Sequence, residues 1–118
     1  MTLRGCALVT LLWLSGLVSP AHAETPDQVA AGRNLASRVC GACHVVTPQR
    51  DELPVLTPPA PSFTVLAQRP SLTEAALREF LGSGHRGMGP HEAMPDPRLA
   101  DYQIDEIVAF MLSLKATK

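Results

Sequence analysis

Apolar residues recur at helical spacing in three parts of the chain. Toward the C-terminus, Ile104, Ile107, Val108, Met111 and Leu114 lie three and four residues apart. They follow Asp101, a good N-cap residue, with Asp105 and Glu106 early in the segment and Lys115 near its end, so a helix is predicted over 102–115. In the middle, Ser71-Leu72-Thr73-Glu74 has the form of a capping box opening a helix that carries Ala75, Leu77, Phe80 and Leu81 as far as Gly82. Before it, residues 62–68 suffice for a short helical turn, stopped by Pro70. Nearer the start, Thr25 stands at an N-cap, Pro26 at the first helical position and Gln28 at the third, which predicts a helix over 26–38. Val29, Gly32, Ala36 and Val39 would share one face of it, and Gly32 makes that face open to close approach.

The intervening segments have no period. Prolines at positions 48, 54, 58, 59 and 61 break up 45–61, and 82–97 is rich in glycine and proline. No strand alternation and no internal repeat is visible. The expectation is an all-α domain of three or four helices joined by long loops, and loops of that length in a small domain are usually functional or wrapped around something.

Residues 1–23 differ from all that follows. Arg4 gives a basic start, the run from Cys6 to Val18 is uncharged and apolar, and Pro20 precedes the small-residue triplet Ala21-His22-Ala23. This is the plan of a secretory signal peptide cleaved after Ala23; the apolar run is shorter than the ~18 residues of a spanning helix. The expected mature chain, 24–118, is a single domain without a membrane segment, exported to the periplasm. It keeps two of the three cysteines, Cys40 and Cys43, too few for a disulfide framework. With three phenylalanines and one tyrosine it has little bulky apolar volume, so a bound cofactor would help stabilise it.

Charge narrows the partners. Losing Arg4 leaves nine basic against eleven acidic side chains, and the only lysines are Lys115 and Lys118. A nucleic-acid binder needs a basic face to displace counterions, so that class is set aside.

The informative string is Cys40-Gly41-Ala42-Cys43-His44. Cys-x-x-Cys-His is the attachment signature of c-type haem: two thiols spaced to add to the two vinyl groups of the porphyrin, and an adjacent imidazole for the iron. Three other chemistries share part of the pattern. A structural zinc site would need a further pair of ligands, with only His85 and His91 left to provide it. A thioredoxin-like dithiol needs a preceding strand and a βαβ context. A plain disulfide is the third.

From Thr25 onward the chain resembles the small class I c-type cytochromes. The match lies in Gly32 on the first helix, Cys40 to His44, Pro61 ahead of Ser62-Phe63, Met94-Pro95, and Phe110 on a last helix that crosses the first. The resemblance implies a cytochrome c-like bundle with loops around one haem c, bound covalently through Cys40 and Cys43. It implies His44 as proximal iron ligand, its other ring nitrogen held by a backbone carbonyl, that of Pro61, and Met94 as distal ligand. Met88, His85 and His91 lie in the same loop as alternatives to Met94, while Met111, on an apolar helix face, is expected in the core. Arg69 and Arg86 are either propionate partners or solvated surface residues.

With both axial positions filled, the chemistry left is the one-electron iron couple. The expected function is that of an electron carrier rather than an enzyme, exchanging electrons with a dehydrogenase, a quinol-oxidising complex or a terminal oxidase, or serving as the haem subunit of a dehydrogenase. The scarcity of lysines favours an apolar docking patch over a basic ring. Were Met94 not a ligand, a five-coordinate haem would suit gas binding; without haem, the dithiol oxidoreductase reading returns.

Overall fold

A computed structural model describes residues 24–48, 54–83 and 94–116. They form four helices, α1 (Pro26–Val39), α2 (Phe63–Ala67), α3 (Glu74–Gly82) and α4 (Asp101–Ala116). Among the described residues there is no strand, only an isolated parallel bridge between His44 and Ala60. The all-α expectation therefore stands. The expected signal segment, together with Met88, His85, Arg86 and His91, lies outside the described residues.

The helices begin where side chains satisfy their first free N–H groups. Thr25 caps α1 by accepting from the Gln28 N–H at 3.2 Å, with Pro26 at a position where no N–H is needed. Ser62 caps α2 in the same way through Val65. Two starts differ from the sequence reading. The cap of α3 is Thr73, not Ser71: Thr73 Oγ1 accepts from the Ala76 N–H at 3.1 Å, while Ser71 belongs to the preceding turn. Glu74 becomes the first helical residue, where its charge favours the positive end of the helix dipole. Asp101 likewise opens α4 rather than capping it. The residue before it, Ala100, accepts from Ile104 through its carbonyl and donates its N–H to Gln103 Oε1 at 3.0 Å, so a glutamine closes this helix start.

All three other helices pack on α4. Its burial runs well beyond the five-residue stripe: Ile107, Val108, Ala109, Phe110 and Met111 are consecutive and almost inaccessible, whereas Leu114 is only half-buried. A helix covered on several sides loses its amphipathic contrast. From α1 the buried face is Gly32, Leu35 and Ala36; Val39, expected on that face, is 42% exposed, and Leu35 takes its place in the core. Phe110 crosses α1 at Gly32, as the sequence suggested. Phe63 from α2 lies 6.3 Å from Phe110, centroid to centroid, and Val46, just after the turn that follows α1, is fully buried in the same core. Burial of such side chains contributes about 1.5–3 kcal/mol each.

The proline-rich link is anchored by main-chain bonds. The N–H groups of Val55 and Leu56 donate to Ala42 O, that of Ala60 to Cys43 O and that of Phe63 to Val45 O. Residues 55–63 thus run alongside 42–45 and deliver Pro61 to the motif.

Candidate functional site

Cys40 is the C-cap of α1, its N–H bonded to Ala36 O at 2.8 Å. The chain then turns tightly, with the N–H groups of Cys43 and His44 both donating to Cys40 O at 3.1 and 2.9 Å. One turn of backbone therefore holds both thiols and the imidazole. Both cysteines are free and partly accessible. Burial, with a smaller contribution from Cys43, pushes the Cys40 thiol up to about 11. A dithiol oxidoreductase requires a thiol shifted the other way, and the strand it needs ahead of the motif is replaced by α1.

His44 is the one buried polar side chain among the described residues, at 8% exposure. Its Nδ1 donates to Pro61 O at 2.7 Å, and its ring meets Phe63 edge-on at 5.6 Å. These two contacts fix the ring and leave Nε2 as its other nitrogen, with no hydrogen-bond partner among the described residues. A buried, unpaired ring nitrogen costs free energy unless something binds it.

His44 faces a cavity of about 330 Å³, within the usual range of cofactor pockets. Cys40 and Pro61 share its wall with His44, and α3 contributes Leu77, Phe80 and Leu81. Met94 reaches the same cavity from the link before α4. The structure thus brings together Cys40, His44, Pro61 and Met94. Cys43 does not line the cavity, although the turn sets it one helical step from Cys40. Among the described residues no three His, Cys, Asp or Glu side chains group as an amino-acid cage for a metal ion would require. A thiol, an imidazole and a soft thioether in an otherwise apolar wall are donors that would suit a large apolar metal complex, with Cys40, His44 and Met94 as the residues that would hold it.

Sequence reasoning placed Met111 in the core alone; it is 3% exposed and also lines the cavity. It missed the contribution of α3, although Ala76, Leu77, Phe80 and Leu81 form one face of that helix. Phe80 lines the cavity and is 36% exposed. Arg69 and Ser71 are also at the cavity, from the link between α2 and α3.

The family model for cytochrome c matches residues 29–115, from the first turn of α1 to the last turn of α4. The chain belongs to the cytochrome c family. Cytochrome c-552 of Bradyrhizobium diazoefficiens is 30% identical over 113 residues, covering 96% of this chain and 95% of that protein. The cytochrome c subunit of 4-cresol dehydrogenase (hydroxylating) from Pseudomonas putida is 28% identical over 100 residues, 85% of this chain and 74% of the subunit. No solved structure gives a significant match. The family carries electrons on haem c, and Cys40-Gly41-Ala42-Cys43-His44, within the matched residues, has the spacing of a haem-attachment motif. No helix among the described residues is long and apolar enough to cross a membrane.

Proposed function

We propose that the chain is exported, cleaved after Ala23, and works in the periplasm as a single-domain electron carrier, residues 24–118, with one covalently bound haem c. When bound, the haem supplies a one-electron Fe(III)/Fe(II) couple. Cys40 and Cys43 hold it by adding their S–H groups across its two vinyl groups, sulfur to one carbon and hydrogen to the other. His44 donates Nε2 to the iron, and the Pro61 carbonyl fixes the ring and strengthens it as a donor. Met94, in the wall of the same cavity, would offer a soft thioether, a donor that favours ferrous iron and so would raise the potential. With His44 and Met94 both engaged, these residues would leave the bound group to electron transfer rather than to substrate binding. One electron is taken from a reduced donor and passed to an oxidised acceptor, and no bond is made or broken.

The observation that carries this reading is His44: buried, pinned through Nδ1, with Nε2 unpaired at an apolar cavity that Met94 also lines. Its donor is a dehydrogenase or quinol-oxidising complex and its acceptor a terminal oxidase or reductase. The likeness to a dehydrogenase's cytochrome subunit favours a dehydrogenase as the donor.

The surface beside the motif suits such partners. Val39, Val55 and Leu56 are exposed, at 42, 82 and 45%. The Val55 and Leu56 N–H groups are tied to Ala42 O between the two cysteines. No charged residue occurs in 39–48 or 54–61. Docking here is apolar and responds weakly to salt.

The test is a visible spectrum of protein secreted from a host that ligates haem, oxidised and then dithionite-reduced, repeated after acid–acetone extraction. Colour retained through extraction, sharp reduced bands and the weak red ferric band of methionine ligation are expected. Colourless protein would return the cysteines to thiol chemistry. Retained haem without the methionine band would point to a five-coordinate, gas-binding site.

A further inference from the structure

The link that joins Met94 to α4 has no secondary structure, yet its backbone is tightly restricted. Pro95 and Pro97 fix their own φ and contribute no N–H. Each also steers the residue before it, Met94 and Asp96, away from helical backbone. Arg98 then takes the opposite hand: at φ 48° it is the one non-glycine residue with positive φ among the described residues. An arginine in the left-handed region is strained by its Cβ and stays there only where its surroundings hold it. Asp96 holds it, for its Oδ1 accepts the Arg98 N–H at 2.9 Å across Pro97.

Beyond this turn the chain is fixed again. Leu99 packs against the core, and Ala100 closes the start of α4 through both its N–H and its carbonyl. From Pro95 to Ala100 each residue is thus held by a ring, a hydrogen bond or the core. The turn at Arg98 depends on one exposed carboxylate, and Asp96 enters no ion pair among the described residues. Two residues upstream of that carboxylate, Met94 lines the cavity.

We propose that Asp96 is a positioning residue for Met94: by accepting the Arg98 N–H it holds the left-handed turn that keeps the link, and with it the Met94 thioether, in the wall of the cavity. This rests on the haem reading of that cavity. An uncharged thioether depends on being presented at high effective concentration, with little chain left to order when it engages. Releasing the Arg98 turn frees backbone between Met94 and α4, and the freed residues must be ordered again each time the thioether returns. An outside ligand competing for the same position then gains by the same factor.

The experiment titrates imidazole into the secreted haem protein in its ferric state at roughly pH 8, where imidazole is neutral, and follows the weak red band of methionine ligation. Imidazole displaces the thioether, a ligand exchange that moves no electron and no proton. Wild type is compared with Asp96→Ala, Asp96→Asn, Met94→Ala and the double variant Met94→Ala with Asp96→Ala. Asp96→Ala should keep covalent haem and the band, and bind imidazole about three- to tenfold more tightly, the contribution of one hydrogen bond. Asp96→Asn keeps an oxygen acceptor in the same place and should titrate as wild type does. Met94→Ala has no thioether to displace, so adding Asp96→Ala to it should change nothing. That comparison separates presentation of Met94 from easier entry to the cavity. A structural role alone would lower the denaturant midpoint and leave imidazole affinity unmoved. Asp96→Ala protein that titrates as wild type overturns this inference alone, as does Asp96→Asn that follows Asp96→Ala, or an equal gain with and without Met94. A wild-type protein without haem, or without the methionine band, overturns the reading of the cavity and this inference with it.

Discussion

The carbonyl oxygen of Glu106 occupies the space where a side chain of Gly32 would begin. A Cβ at Gly32 would lie 1.9 Å from that oxygen and 2.9 Å from Cβ of Phe110, so α1 and α4 touch backbone to backbone. Glycine is needed here for its absent side chain; Gly32 is an ordinary helical residue in conformation. The crossing lets Phe110 lie beneath α1, with the Arg33 guanidinium 5.9 Å above its ring. Gly32→Ala must push the helices apart, and overpacking of this kind costs about 1–3 kcal/mol. Denaturant unfolding of the haem-loaded protein should show a lower midpoint with an unchanged slope. A midpoint equal to wild type would mean that the helices slide without cost.

Much of this was legible in the sequence because it is written in local chemistry. Pro26 and Thr25 announce α1, and the spacing of Cys40, Cys43 and His44 identifies the motif whatever surrounds it. The pairing of Gly32 with Phe110 came from the family resemblance rather than from periodicity. The misreadings arise where backbone geometry and packing, rather than residue type, decide. Ser71 and Thr73 are both capping residues two positions apart, and the preceding turn, bonded from Thr73 N–H to Ser71 O, decides between them. Val39 fits the helical period, yet α1 ends there and the side chain stays 42% exposed. The seating of 55–63 along 42–45 uses main-chain N–H and carbonyl groups, which leave no side-chain pattern to read. The cavity wall from α3 exists only once α3 packs on α4.

Arg78 couples α3 to α4. It donates to Glu74 within its own helix at 3.0 Å and to Asp105 across the interface, and these bonds raise its pKa above the ordinary arginine value. It is already charged at any working pH, so the raised value creates no pH-dependent stability in that range. Its side chain is 39% exposed and its partners more so, which screens the pairs. Arg78→Gln should cost about 0.2–1 kcal/mol, and less at high salt. Thermal unfolding at low and high ionic strength checks this; a loss that is large and salt-independent would show that Arg78 packs rather than pairs.

Two thioethers line the cavity, and they should behave differently. Met94 sits on the link before α4, half-buried, and Met111 is locked inside that helix. Met94→Ala should keep covalent haem, lose the weak red ferric band and lower the reduction potential, since the soft ligand to ferrous iron is gone. Met111→Leu conserves volume and should leave both spectrum and potential intact, at a stability cost below about 1.5 kcal/mol. The reverse pattern would assign the distal position to Met111.

The exposed apolar patch beside Cys40 and Cys43 gives the last expectation. Val39, Val55 and Leu56 stand on two segments without a charged side chain, held together by the bonds from Val55 and Leu56 to Ala42 O. If partners dock here, the bimolecular rate of electron exchange should change little with ionic strength, because no long-range steering is lost to screening. Leu56→Lys should slow exchange and make the rate salt-dependent, since the partner's apolar face must then desolvate a charge. The potential should stay close to wild type, which separates docking from redox tuning. Stopped-flow measurements against a physiological or surrogate redox protein at several ionic strengths decide the matter. A wild-type rate that falls steeply with salt, or a Leu56→Lys rate equal to wild type, would move the docking surface away from this patch.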